Sequence, residues 1–189
     1  MKKALLLTAL LAAIGAAQAQ SATYAIDPSH TAVTFEAKHF GTSTLRGRWD
    51  KKEGTVTLDK AAKTGKVEFT IDMNSLTTGT APFDGHLKSK DFFGVEEFPT
   101  AKFVGDKFNF NGDKVASVSG ELTLHGKTNP VTLTATNFNC YENPRLKREV
   151  CGGDFETTIQ RSQWGITYAM PVVTPDAIRL LVQVEAIKQ

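Results

Sequence analysis

The chain has 189 residues, 22 Lys and Arg against 20 Asp and Glu, and two cysteines. A length of this order holds one domain with a sizeable core. Near-neutral, dispersed charge excludes the electrostatic footprint that nucleic acid or an anionic membrane surface demands.

The first twenty residues, "MKKALLLTALLAAIGAAQAQ", carry a targeting pattern. Lys2 and Lys3 form a basic start, Ala4 to Ala13 is apolar, and Ala17-Gln18-Ala19 offers the small-x-small site of a signal peptidase. The apolar part is short for a membrane span, and no stop-transfer run follows. The expected organisation is therefore a cleaved signal peptide over 1–19 and a single domain over 20–189. The bacterial look of this leader makes the periplasm the expected compartment. Loss of Lys2 and Lys3 takes the 22 basic residues to 20, equal to the 20 acidic ones.

Beyond the leader the dominant period is two. In "TAVTFEAKHF", Val33, Phe35 and Ala37 alternate with polar residues; "GTVTLD" does the same with Val56 and Leu58. In "KVEFTIDM", Val67, Phe69, Ile71 and Met73 share a face. Such alternation marks half-buried strands of an antiparallel sheet. Lys51-Lys52-Glu53-Gly54 and Lys63-Thr64-Gly65 read as turns between them.

Asn74 to Pro99 interrupts the alternation. It holds Phe83, Phe92, Phe93 and Phe98, each worth roughly 1.5–3 kcal/mol when buried, so the segment must pack on something apolar. Asp84 is an expected N-cap for a helical turn through Leu87 and Lys88, with Asp91 capping the next turn. His86, Lys88 and Lys90 then face water while Leu87, Phe92 and Phe93 turn inward. Pro99 stops the helix and returns the chain to the strand "AKFVG".

Alternation resumes in "GELTLHG" with Leu122 and Leu124, and in "PVTLTAT" with Val131, Leu133 and Ala135; His125-Gly126-Lys127 joins the two as a tight hairpin. Asn111-Gly112-Asp113 is another turn. Cys140 and Cys151, an even and nearby pair in an oxidising compartment, read as a structural disulfide around the polar "YENPRLKREV". Such a bridge contributes about 3 kcal/mol if unstrained. Their spacing is not Cys-x-x-Cys and no histidine flanks them, so neither a redox motif nor a zinc site is indicated. The closing "AIRLLVQVEAIK" places Ile178, Leu180, Val182 and Val184 on one face. Many short strands in succession predict a sandwich or a barrel.

Several of these segments, in order, resemble the YceI family of lipocalin-like periplasmic proteins: "YAIDPSHTAVTFEAKHFGTSTLRGRW", "HLKSKDFFGVEEFPTAKF", "GELTLHGKTNPVTL", "TTIQRSQWGI" and "RLLVQVEA". The resemblance spans essentially the whole chain after the leader. It implies an all-β fold, an extended eight-stranded antiparallel lipocalin-like barrel with a short helical flap insertion. It also implies binding of long isoprenoid chains, quinone tails or acyl lipids in an apolar tunnel, no cofactor beyond such a lipid, and a homodimer.

On that reading the alternating faces supply the tunnel wall: Val33 and Phe35, Phe69 and Ile71, Leu122 and Leu133, then Ile178, Leu180 and Val182. Phe83, Phe92 and Phe93 close or line the flap, and Trp164 lines the tunnel or plugs a barrel end. Arg161, read on a strand in "IQRSQWG", either contacts a polar head group at the tunnel mouth or pairs with Asp27 or another carboxylate. A long hydrocarbon asks for smooth apolar walls rather than reactive groups. An enzyme acting on such a lipid would draw on His86, Arg161 and Glu96, although the adjacent Glu96-Glu97 carboxylates do not naturally converge. A filled barrel serving only as an interaction module would leave no continuous cavity. His30, His39 and His125 show no metal-ligand spacing, and Ser29 and Ser162 lack the context of a hydrolase elbow.

Overall fold

The computed structural model describes residues 21–189; the signal peptide expected over 1–19 lies outside the described residues. Eleven strands run antiparallel in one sheet: β1 (Ala22–Ile26), β2 (Ala32–His39), β3 (Ser43–Trp49), β4 (Lys52–Asp59), β5 (Thr64–Asp72), β6 (Leu76–Thr77), β7 (Thr100–Asn111), β8 (Lys114–Leu124), β9 (Lys127–Asn143), β10 (Arg148–Gln160) and β11 (Ala177–Lys188). One helix, α1 (Ala81–Lys88), lies between β6 and β7.

Strand pairing turns these eleven segments into an eight-stranded barrel. The ring β1-β4-β5-β7-β8-β9-β10-β11 closes through pairing of β1 with β11, which leaves no free edge at that end. On the same edge of β11, Ala186 pairs with Ile26 of β1 while Arg179 to Gln183 pair with β2. β1 and β2 are thus one long strand with a break, and β3–β4 and β5–β6 repeat the pattern. At the second end β11 continues into β2, β3 and the two-residue β6. Beyond β6 the sheet stops, and α1 with the following turns covers the end.

The breaks are held by named bonds. Between β1 and β2, Asp27 N–H donates to Glu185 O at 2.9 Å, and its carboxylate accepts from Ser29 and from the His30 ring at 2.8 Å. Burial pushes the Asp27 carboxyl up, but the hydrogen bonds from Ser29 and His30 outweigh it and hold the pKa at about 2. Between β3 and β4, Asp50 N–H donates to Ser75 O and Lys51 N–H to Ser75 Oγ. The expected turn at Lys51–Gly54 is therefore only this kink, and β4 begins at Lys52. Gly54 is needed for close approach: a Cβ there would stand 2.4 Å from Glu68 O on β5.

The hairpin between β8 and β9 is the two-residue turn the sequence predicts. Leu124 pairs with Lys127, and His125 and Gly126 both take positive φ (50° and 71°), the geometry of a type I′ turn. The β9–β10 hairpin is more regular than expected. Most of "YENPRLKREV" is strand rather than loose loop, because Glu142 pairs with Glu149 and Cys140 lies opposite Cys151, where the two sulfurs are bonded. Beside them, Glu149 accepts from Tyr24 at 2.5 Å and from Lys60. Burial and then the Glu149 carboxylate raise the Tyr24 pKa. Cys140, Glu149 and Cys151 gather metal-ligand types, but both sulfurs are spent on each other.

The helix differs from its predicted form. It starts three residues before Asp84, with Thr80 at the N-cap and Pro82 in its first turn, a position that suits proline's fixed φ and missing N–H. Asp84 turns back instead to accept from the N–H and hydroxyl of Thr78, each at 2.6 Å. After α1 no second helix forms at Asp91; Phe93 N–H donates to Leu87 O and Val95 N–H to Lys88 O, folding the chain into turns. Leu87 and Val95 are buried, and Phe83, Phe92 and Phe93 pack on the core beside them.

Candidate functional site

The barrel is hollow. An upper cavity of about 360 Å³ lies under α1 and the turns, and a lower one of about 140 Å³ lies within the closed ring. Leu180 belongs to both. The order of residues along β2 and β11 shows how the cavities stack. Ala37 and Phe35 face the upper one and Val33 the lower; Ile178 faces the upper one, and Val182 and Val184 the lower. Phe35 pairs with Leu180 and Val33 with Val182, so the boundary sits at one level across two strands.

The boundary is aromatic. Phe35, Trp49 and Phe93 form a cluster with ring centroids 5.4, 5.5 and 6.2 Å apart. Phe93 comes from the flap, so the flap itself narrows the waist between the cavities. Tilted and edge-on contacts of this kind add attraction beyond area burial.

The alternating residues fall where the period places them. Val33, Phe69, Ile71, Leu122, Leu133 and Val182 line the lower cavity; Phe35 and Ile178 line the upper. Several, including Ile71, Leu133, Ile178 and Val182, keep intermediate accessibility while pointing inward. Their remaining accessible surface is cavity wall. Phe83, Phe92 and Phe93 line the upper cavity. Trp164 does not line either. It is 1% exposed, and its indole N–H donates to Leu122 O at 3.0 Å, so it plugs the barrel end.

Arg161 needs two corrections. It begins a 3-10 turn, Arg161–Trp164, rather than lying on a strand, and it does not pair with Asp27, which is engaged by Ser29 and His30. Buried at 5% exposure, it grips the loop that follows: Nη2 donates to Tyr168 O at 2.9 Å and to Thr174 Oγ1 at 2.8 Å, and Nε donates to Pro175 O at 3.2 Å. Its guanidinium lies 5.9 Å from the Phe92 ring centroid. Burial lowers the Arg161 pKa, and Asp176 pulls the other way. Asp176 itself accepts from Ser162 N–H and Oγ, which pins the far end of the loop.

Arg161 also lines the upper cavity, as does Trp49. Arg161 Nη1 and Trp49 Nε1 are buried donors with no partner among the described residues. His86, expected to face water, is half exposed and stands at the cavity mouth, its ring 5.1 Å from Phe92 and 5.4 Å from Tyr168. Glu96 is exposed on the turns and does not line the cavity, so His86, Arg161 and Glu96 do not converge there. Sequence alternation missed Leu45, Ile166, Tyr168 and Val173, which complete the upper wall. The run "ITYAMPVV" carries no period, and its apolar content was the only available signal.

No helix among the described residues is long and apolar enough to cross a membrane. A family model for the YceI-like domain matches residues 24–186. A UPF0312 protein of Pseudomonas aeruginosa (strain LESB58) is 36% identical over 193 residues, covering 100% of both chains. Among solved structures, BcnA of Burkholderia cenocepacia superposes with a TM-score of 0.71 at 22% identity, over 85% of this chain and 98% of that one. A polyisoprenoid binding domain from Saccharophagus degradans, implicated in plant cell wall breakdown, gives a TM-score of 0.65 at 15% identity, over 88% and 98%. At these identities the structural likeness speaks for the fold alone.

Proposed function

The chain belongs to the YceI-like domain family, and on that premise we propose that it binds a long isoprenoid lipid, a polyprenyl or quinone tail, inside its barrel and carries or sequesters it in the periplasm. The observation that carries this reading is the pair of stacked apolar cavities that share Leu180 in their walls. A long chain threaded through the waist buries its methylenes in turn, each worth about 0.8 kcal/mol before association costs. A branched, semi-rigid hydrocarbon suits a channel walled by Val, Leu, Ile and Phe. The polyisoprenoid-binding description of the Saccharophagus degradans domain supports the ligand class.

The polar end of the ligand belongs in the upper cavity. The lower wall is almost wholly hydrocarbon, whereas His86, Arg161 and Thr174 bring polar side chains to the upper one. The leader pattern and the Cys140–Cys151 bridge support an oxidising compartment outside the cytoplasm.

Native mass spectrometry on protein recovered from its own cells, followed by organic extraction, tests the proposal. A released species with isoprene-spaced masses is the expected result. An acyl chain would keep the cavity and replace the ligand class. A mass that stays bare after incubation with polyprenyl lipids would overturn the reading.

A further inference from the structure

We propose that the mouth of the upper cavity is a docking surface for a phospholipid bilayer, through which the barrel exchanges its ligand directly with the membrane. This rests on the lipid-binding reading and adds the route to it.

Three of the large apolar side chains that remain exposed meet at this mouth: Val172 at 73%, Phe40 at 58% and Tyr168 at 46%. They come from two separate loops that are tied together, since Phe40 N–H donates to Val173 O at 2.8 Å. The patch is continuous with the cavity. Tyr168 itself, and His39, Ala169 and Val173 next to the exposed residues in sequence, are wall residues of the upper chamber. An apolar rim that runs without interruption into an apolar cavity gives a hydrocarbon chain a path that avoids water throughout.

The exposure is built in rather than incidental. The loop that carries Tyr168 and Val172 is fixed by Arg161 through Tyr168 O, Thr174 Oγ1 and Pro175 O, and at its end by Ser162 on Asp176. Phe40 stands at the tip of the β2–β3 hairpin with φ of 48°, a conformation that a bulky side chain rarely adopts. Both loops therefore present apolar side chains outward from an ordered backbone. A bilayer suits the patch because it is the phase in which a water-insoluble chain resides. Lys38, the nearest charge on β2, is turned to Thr44 Oγ1. The contact is thus apolar insertion at the interface rather than attraction to lipid phosphates, and its strength is insensitive to salt.

The double substitution Phe40→Ser and Val172→Ser tests this, since neither residue lines a cavity. Flotation with phosphatidylcholine vesicles, and transfer of a polyprenyl quinone from those vesicles to the purified protein, are measured beside binding of the same quinone from detergent micelles. The wild-type protein is expected to float with vesicles at low and high salt alike. In the double variant flotation falls and vesicle transfer slows by roughly a hundredfold, the scale set by removing two buried apolar side chains, while micellar binding is unchanged. Equal flotation and equal transfer rates for the two proteins would overturn the proposal. So would a shift of the variant from dimer to monomer in sedimentation without vesicles, because the rim would then be a contact between copies of the chain. Failure of the wild-type protein to bind quinone from micelles would instead overturn the lipid reading, and flotation would still report on the rim.

Discussion

Phe35 covers Gly47, its register partner on the neighbouring strand: a Cβ at residue 47 would stand 2.4 Å from Phe35 Cε1 and 2.6 Å from Cζ. The glycine is what lets the ring lie against β3 while its other side contributes to the aromatic waist with Trp49 and Phe93. Gly47→Ala must push Phe35 off this seat toward the cavity. The expected outcome is a loss of about 1–3 kcal/mol, the range for overpacking a core, together with weaker binding of long-chain lipid. Adding Phe35→Leu should recover much of the stability, because the smaller side chain removes the clash. Denaturant titration of both variants checks this; additive losses would show that the two residues are not coupled.

This contact also illustrates what a sequence can disclose. The face on which Val33, Phe35 and Ala37 lie follows from period two, and so does that of Ile178, Leu180 and Val182, since a buried sheet face leaves no freedom of register. Gly47 and Gly54 could not be assigned the same way. Each serves a neighbour distant in sequence, Phe35 or Glu68 O, and glycine in isolation reads equally as a turn. The strand breaks were hidden for a related reason: Lys51 is held by Ser75 and Asp27 by Glu185, partners no local pattern indicates. Arg161 was legible as a residue of interest but not in its role, because its acceptors are mostly backbone carbonyls of an aperiodic loop.

Arg161→Met should loosen the loop over 166–176 without emptying the space it fills. Hydrogen bonds from a charged donor carry a net contribution of roughly 1.5–3 kcal/mol each, and an overall loss of about 2–4 kcal/mol is expected once packing is retained. Arg161→Lys should recover little, since an ammonium lacks the planar fork that reaches Tyr168 O, Thr174 Oγ1 and Pro175 O together. Hydrogen exchange of the loop amides is the measurement. Unchanged protection from residue 166 to 176 in Arg161→Met would show that the loop holds itself.

The Asp27–His30 pair at the β1–β2 break predicts a pH response with two limbs. Asp27 is held at about 2 against an ordinary 3.8, so its contribution is complete above 3.8 and is lost as pH falls from there toward 2. His30 is raised above its ordinary 6.5, chiefly by its hydrogen bond to Asp27. Its contribution is complete below 6.5 and is lost as pH rises through the elevated folded value. Because His30 is exposed, the second limb should be shallow and should shrink with added salt. NMR titration of the His30 ring is expected to give a midpoint above 6.5 that drops back in Asp27→Asn. An identical midpoint in the two proteins would rule out the pair.

Leu180→Trp offers the sharpest separation of the two cavities. Leu180 is the one side chain common to both, directly opposite Phe35, so a larger group there closes the waist from the β11 side while leaving the mouth intact. A ligand confined to the upper cavity should still bind; a ligand that threads both should not. The expected outcome is a strong loss of affinity for a long polyprenyl quinone and little change for an analogue with one or two isoprene units. The substitution itself should cost about 1–3 kcal/mol through overpacking, which leaves room for a folded variant. Isothermal titration with the two chain lengths, beside a thermal melt to confirm folding, makes the comparison. Equal affinity of the variant and the wild-type protein for the long chain would mean that the lower cavity takes no part in binding, and that the ligand resides wholly between the flap and the Phe35–Trp49–Phe93 cluster.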